Sequence, residues 1–219
     1  MANIKLIFRT THKKINSHCR RLFCLMLVPV LVSYLLIFIA TTFPTNNAFQ
    51  YFCLFLYLLN YVFLALSVHR VIIVGPDSVP KWGQYTISKR VAYYTLYAVC
   101  LLILLMVISF VSLVPIVGGA LQLLFSVYVF ARVLLVFPAI SVDRYWSFYY
   151  SWLQTKQVQD MTLFVAVTMF LMFWLSNQIS LPFGLLSIPL SNFIELVFFM
   201  YSVVLISVAF KCVCAQNEQ

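Results

Sequence analysis

The chain has 219 residues, of which 64% are hydrophobic and 9% charged, and its net charge is +9. A soluble domain carries about 25% charged residues, and a water-soluble fold of this size could not hide so much apolar surface. The composition excludes a soluble globular protein, and a mean hydropathy of +1.01 makes lipid the solvent for most of the chain.

A spanning helix needs about 20 mainly apolar residues to cross a hydrocarbon layer of about 30 Å. The first stretch in chain order is a basic lead-in, residues 1–21, where Ile4, Phe8, Thr11, Ile15, Cys19 and Leu22 recur at three- and four-residue steps. Such a pattern predicts an amphipathic helix lying in the membrane interface. Leu22 to Ala40 then forms the first predicted span. Its apolar core is too long for a cleaved leader and no A-x-A-like site follows, so it reads as an uncleaved anchor.

The second span is predicted at Ala48 to Val68, after the turn Phe43-Pro44-Thr45-Asn46-Asn47. A linker with Trp82 and Tyr85, interrupted by Pro80 and Gly83, leads to the third span at Val91 to Leu113. The turn Pro115-Ile116-Val117-Gly118-Gly119 leads to the fourth, Val117 to Phe137. From Asp143 to Gln157 a second interfacial helix is expected, with Arg144, Ser147, Ser151 and Gln154 as a water-facing stripe and an aromatic remainder turned toward lipid. The fifth span is Met161 to Leu181. The turn Leu181-Pro182-Phe183-Gly184 precedes the sixth, Leu185 to Phe210, and residues 211–219 form a tail. The expected fold is a single all-α, polytopic membrane domain, a bundle of six transmembrane helices in three hairpins (residues 22–210).

The basic residues support this scheme. Lys5, Arg9, Lys13, Lys14, Arg20 and Arg21 precede the first span, while Arg70, Lys81, Lys89 and Arg90 follow the second. Arg144 and Lys156 precede the fifth, and Lys211 follows the sixth. The three turns contain none. The positive-inside rule then puts both termini and the two longer connections in the cytoplasm. This pattern accounts for the net charge without nucleic acid as a partner. A segment just after the second span recurs at the end of the fourth: Arg70-Val71-Ile72-Ile73-Val74-Gly75-Pro76 matches Arg132-Val133-Leu134-Leu135-Val136-Phe137-Pro138 at a spacing of 62 residues, and Trp82 and Trp146 follow. Either a duplicated hairpin or chance among apolar residues accounts for the match.

Chemistry-bearing residues are scarce. The acids are Asp77, Asp143, Asp160, Glu195 and Glu218, and the histidines His12, His18 and His69 all fall at or near the cytoplasmic side. There is no H-E-x-x-H, G-x-S-x-G or P-loop pattern. The six cysteines have neither a secreted framework nor zinc spacing. No enzyme activity, metal or cofactor is expected. Arg70, Arg132, Asp143, Arg144, Trp146 and Trp152 are predicted anchors at the cytoplasmic interface, Arg132 by extending its side chain to the surface.

The run Leu113-Val114-Pro115-Ile116-Val117-Gly118, then Arg132, Pro138-Ala139-Ile140 and Ser151-Trp152-Leu153-Gln154-Thr155-Lys156, resembles a pattern in bacterial six-helix inner-membrane proteins. These are the YciC family and the membrane domain of some glycerophosphodiester phosphodiesterases. The chain departs from the pattern where Ile116-Val117 precedes Gly118 and at Gln157, where Gly is usual. The resemblance spans Leu113 to Asp160. It implies a bacterial inner membrane and a six-helix fold, with no activity attached.

Glu195 falls near the middle of the sixth span. Ser191 and Asn192 sit a turn away on one face, and Gln122 and Asn177 approach from the same outer side. These five predict an intramembrane polar cluster, serving as helix–helix glue or as a site for a proton or solute. Two functions follow. One is a scaffold, assembly factor or interaction partner acting with another membrane protein or a second copy, which a packed, dry bundle would favour. The other is a small transporter, channel or lipid-handling protein, which a cavity among the helices would favour.

Overall fold

The computed structural model describes residues 2–42, 47–180 and 187–217. It is all-helical over these: α1 (Ala2–Thr42), α2 (Asn47–Ile73), α3 (Lys89–Ser109), α4 (Gly118–Val133), α5 (Val136–Ser141), α6 (Phe148–Gln157), α7 (Gln159–Ser180) and α8 (Ser187–Asn217). Short 3₁₀ turns at Pro76–Ser78 and Phe110–Leu113 join them. Six segments are long and apolar enough to cross a membrane, with α4 and α5 together making one. The protein is an integral, multi-pass membrane protein. The turns expected at 43–46 and 181–184 lie outside the described residues.

The largest departure from expectation is α1. The basic lead-in and the first span form one continuous helix, which at 1.5 Å per residue is about 60 Å long. Its buried positions, Ile7, Thr11, Leu22, Leu25, Met26, Ser33 and Leu36, keep a helical repeat from end to end. The lead-in is continuous with the first span and packs against other helices. Phe8 packs near Phe164 of α7 and Tyr201 of α8, with ring centroids 6.2 and 6.5 Å away. Pro29 lies inside this helix, and α2 makes a polar contact beside it. Asn60 Nδ2 donates to the Pro29 carbonyl at 2.9 Å and to Ser33 Oγ at 3.0 Å. In lipid such polar bridges and close packing hold helices together, since tails are as apolar as leucine.

The fourth span breaks where one helix is predicted. Pro138 has no N–H, and its ring would clash with the carbonyl four residues back. The helix ends at Val133 and restarts at Val136. Every residue of α5 is buried. The second span runs five residues past its predicted end and the sixth continues to Asn217, so most of the expected tail is helix. The linker over 79–88 forms no helix, because Pro80 and Gly83 break it.

α8 is the hub, packing on α1, α2 and α7. Cross-contacts set the levels. Arg21 donates to the carbonyls of Pro76 and Val79, and Lys211 Nζ reaches the Ile72 carbonyl at 3.4 Å. The basic residues therefore gather at one end of the bundle. α3 is the least embedded element, with only Val91, Tyr94 and Leu101 buried. Its attachments cluster at the basic end. Arg90 grips Asp143 with two bonds, at 2.5 and 2.7 Å. Tyr97 meets Phe148 edge-on at 4.8 Å, and Tyr93 meets Tyr145 at 5.5 Å. The remainder of α3 stands away from α2.

Candidate functional site

Between α2 and α3 lies an open-sided cleft of about 620 Å³. Its walls come from α2, α3, α4, α5, α7 and α8, through residues such as Leu58, Ala98, Leu101, Phe130, Met169 and Phe199. The volume falls within the range of about 300–1,000 Å³ typical of ligand pockets. The sequence supports the gap directly. α3 is apolar all round, so nothing in its pattern compels one face onto α2 along its full length.

Two polar sets touch this apolar cleft. Toward the end of α8 that begins at Ser187, Tyr57, Tyr61 and Glu195 face it. Tyr61 Oη donates to Glu195 Oε1 at 3.2 Å, and Tyr57 Oη donates to Asn192 Oδ1 at 3.2 Å. The two hydroxyls are 2.9 Å apart. Two hydroxyls carry two hydrogens and cannot make three bonds. The third hydrogen comes from Glu195 as a neutral acid or from the Asn192 amide on turning. Asn192 is 3% exposed and its Nδ2 has no acceptor. Glu195 is half-buried and pairs with no cation among the described residues. Toward the basic end, Tyr94 lines the cleft. Behind it lies His69, fully buried, with Nδ1 2.7 Å from Ser207 Oγ and Nε2 3.4 Å from Tyr94 Oη.

Of the five residues predicted to cluster, Asn192 and Glu195 are brought together, but through tyrosines of α2. Ser191 is half-buried beside them. Gln122 is half-buried on α4, which packs on α7, and no hydrogen bond joins it to Asn192 or Glu195. The side chain of Asn177 lies outside the described residues. The tyrosines were missed because Tyr57, Tyr61 and Tyr94, three of the thirteen in the chain, look like ordinary span or belt residues. The one available signal was the four-residue step from Tyr57 to Tyr61, which stacks two hydroxyls on one helix face. His69 was expected near the surface. The extension of α2 to Ile73 buries it instead.

The predicted interfacial anchors mostly meet protein. Arg70 Nη1 donates to the Ser141 carbonyl at 3.0 Å, tying α2 to the end of α5. Asp143 sits at φ 62°, a left-handed conformation that Asp tolerates. The hydrogen bonds from Arg90 hold its carboxyl below the usual range, so the pair stays ionised at neutral pH. Arg144 Nη1 lies 3.2 Å from Cys214 Sγ. Trp146 packs on Phe210 and Tyr150 at 5.1 and 5.0 Å. Arg132 does not extend to the surface. It is 5% exposed, under Trp152 and Tyr128.

Of the α6 stripe, Arg144 and Ser147 are exposed and Gln154 half-buried, but Ser151 is not on the surface. Ser151 and Thr155 are fully buried, both donating to the Arg132 carbonyl, while Tyr149 is 73% exposed. In a soluble protein the hydroxyl face would look outward. Here the break after Val133 leaves carbonyls of α4 short of helical donors, and the hydroxyls of α6 cover one of them.

Among the described residues no group of three His, Cys, Asp or Glu side chains is placed to hold a metal ion. Comparisons with models of known families, with curated proteins and with solved structures each return no match. The resemblance over Leu113 to Asp160 thus rests on its own residues.

Proposed function

We propose that this protein is a non-enzymatic, lipid-handling membrane protein that holds an amphiphile in the cleft between α2 and α3. The observation that carries the reading is Glu195: a half-buried carboxylate, without a cationic partner among the described residues, at one end of an apolar cleft of about 620 Å³. A cleft with that lining offers little to a hydrated solute, and a dry bundle acting only as a scaffold has no use for it. It suits a long apolar chain that enters sideways from the bilayer and ends in a hydrogen-bond donor, an amine or hydroxyl, at Glu195. Tyr57 and Tyr61 would fix the orientation of that end.

The test is retention. The protein purified in mild detergent should carry an amphiphile at close to one per chain, identified by mass analysis of the extract. Ala98, half-buried on the cleft wall, is the position to fill. Ala98→Trp should cut retention about tenfold or more, as steric exclusion from a ligand pocket does. Equal retention by Ala98→Trp would refute the reading.

The same reading places the protein in a bacterial inner membrane, with the basic end and both termini in the cytoplasm. Support comes from the gathering of Arg21, Arg70, Arg90, Arg144 and Lys211 at one end of the bundle and from the positive-inside rule. A reporter fused after Gln157 should read as cytoplasmic. A reading on the opposite side would reverse the orientation.

A further inference from the structure

Arg132 is a charge in the wrong place. It sits in the last turn of α4 with 5% of its surface exposed, and no carboxylate among the described residues lies within ion-pair distance. Burying a cation without an anion costs several kcal/mol in general, so something must offset it. Part of the offset is visible. Nη2 donates to Gln159 Oε1 at 2.7 Å and to Tyr128 Oη at 3.3 Å. The rings of Tyr128 and Trp152 lie with their centroids 5.0 and 5.6 Å from the guanidinium carbon, a cation–π arrangement. The two rings meet edge-to-face at 5.7 Å. The other edge of the fork is unmet: Nη1 is buried and has no acceptor.

The site is built, and by a separate element. α6 is held over α4 by Ser151 and Thr155, whose hydroxyls donate to the Arg132 carbonyl at 2.9 and 3.2 Å. That grip puts Trp152 over the guanidinium. Both covering rings are partly exposed, at 37% each, so they form the outer wall of the cage. The two unmet N–H groups of Nη1 suit an anionic oxygen acceptor such as a phosphate ester, which guanidinium groups bind well. The location agrees. Arg132 lies in the half of its span nearer the basic end, nine residues before Ser141, and α6 beside it turns Tyr149, Tyr150, Trp152 and Leu153 outward.

We infer that Arg132, caged by Tyr128, Trp152 and Gln159, is a binding site for an anionic phosphate ester, the headgroup of an anionic phospholipid of the adjoining leaflet. This site is independent of the α2–α3 cleft, whose lining includes neither Arg132 nor Trp152.

The experiment uses the full chain in nanodiscs of phosphatidylcholine alone or with one-fifth phosphatidylglycerol, and a third sample of phosphatidylcholine with inorganic phosphate. Native mass spectrometry counts retained lipid and thermal unfolding reports stabilisation. Retention of phosphatidylglycerol over phosphatidylcholine, weakened about 10- to 100-fold in Arg132→Gln as for a lost charged hydrogen bond, supports the proposal. Arg132→Lys, which keeps the charge and loses the fork, should retain part of the preference and guards against a variant that fails to fold. Stabilisation by inorganic phosphate alone, lost in Arg132→Gln, would support the same chemistry with a free anion as its source. Retention unchanged in both variants, or no preference in the unsubstituted protein, would overturn it.

Discussion

Replacing Glu195 by Leu should cost the protein about 30- to 100-fold in affinity for its amphiphile, the loss expected when a ligand donor is buried without its acceptor (about 2–3 kcal/mol). Glu195→Gln is the informative companion. The amide keeps the acceptor for Tyr61 and fits the same space, but cannot hold a formal charge. If the ligand ends in an amine, Glu195→Gln should behave much like Glu195→Leu. If it ends in a hydroxyl, Glu195→Gln should stay within a fewfold of the unsubstituted protein. Purified variants titrated with long-chain amines and alcohols in mild detergent separate the cases. Should both variants bind as tightly as the original, Glu195 would be no more than a link between α2 and α8, since Tyr61 and Tyr57 already join it to that interface.

The second large effect is on folding. A methyl group added at Gly118 would lie 2.6 Å from the Val111 carbonyl oxygen and 2.7 Å from that of Ser112. Both are backbone atoms and cannot rotate away, so the turn into α4 must shift. Gly118→Ala should therefore destabilise by about 2–3 kcal/mol, as overpacking a tight site does. Gly119 has nothing within 4 Å of the same position. Gly119→Ala should be neutral or slightly stabilising, because Ala favours helix over Gly. Thermal unfolding of the two variants in one detergent provides the comparison, and equal stability would show that the 3₁₀ turn and α4 part easily. The turn is already strained: Ile116, a β-branched residue, sits at φ 69°.

The membrane fold was legible because hydropathy and the basic flanks are additive signals, each repeated along the chain. Bilayer thickness fixes helix length, so the spans around Val91 and Met161 fall within a few residues of the observed helices. What failed was local direction. α1 was cut at Leu22 because a change from basic to apolar composition looks like a boundary, but backbone hydrogen bonding does not register composition. The α6 stripe was read by the rule for a water-facing helix. Ser151 alone departs from it as a buried position, because its hydroxyl serves a carbonyl exposed by the Pro138 break, 19 residues away. The polar cluster was half legible. Glu195 and Asn192 stand out in an apolar run, whereas Tyr57 and Tyr61 acquire meaning only once α2 lies beside α8, more than 130 positions away. The cleft itself follows from α3 being held at its basic end, through the Arg90–Asp143 pair that no periodicity announces.

Native mass spectrometry of the unsubstituted protein released from mild detergent tests the central claim most directly. A single amphiphile should survive activation that strips loosely held lipid, with one bound per chain, and Ala98→Trp and Glu195→Leu should each reduce that species. Bare protein alone, or a ladder of lipids no different in the two variants, would contradict a lipid-handling cleft between α2 and α3.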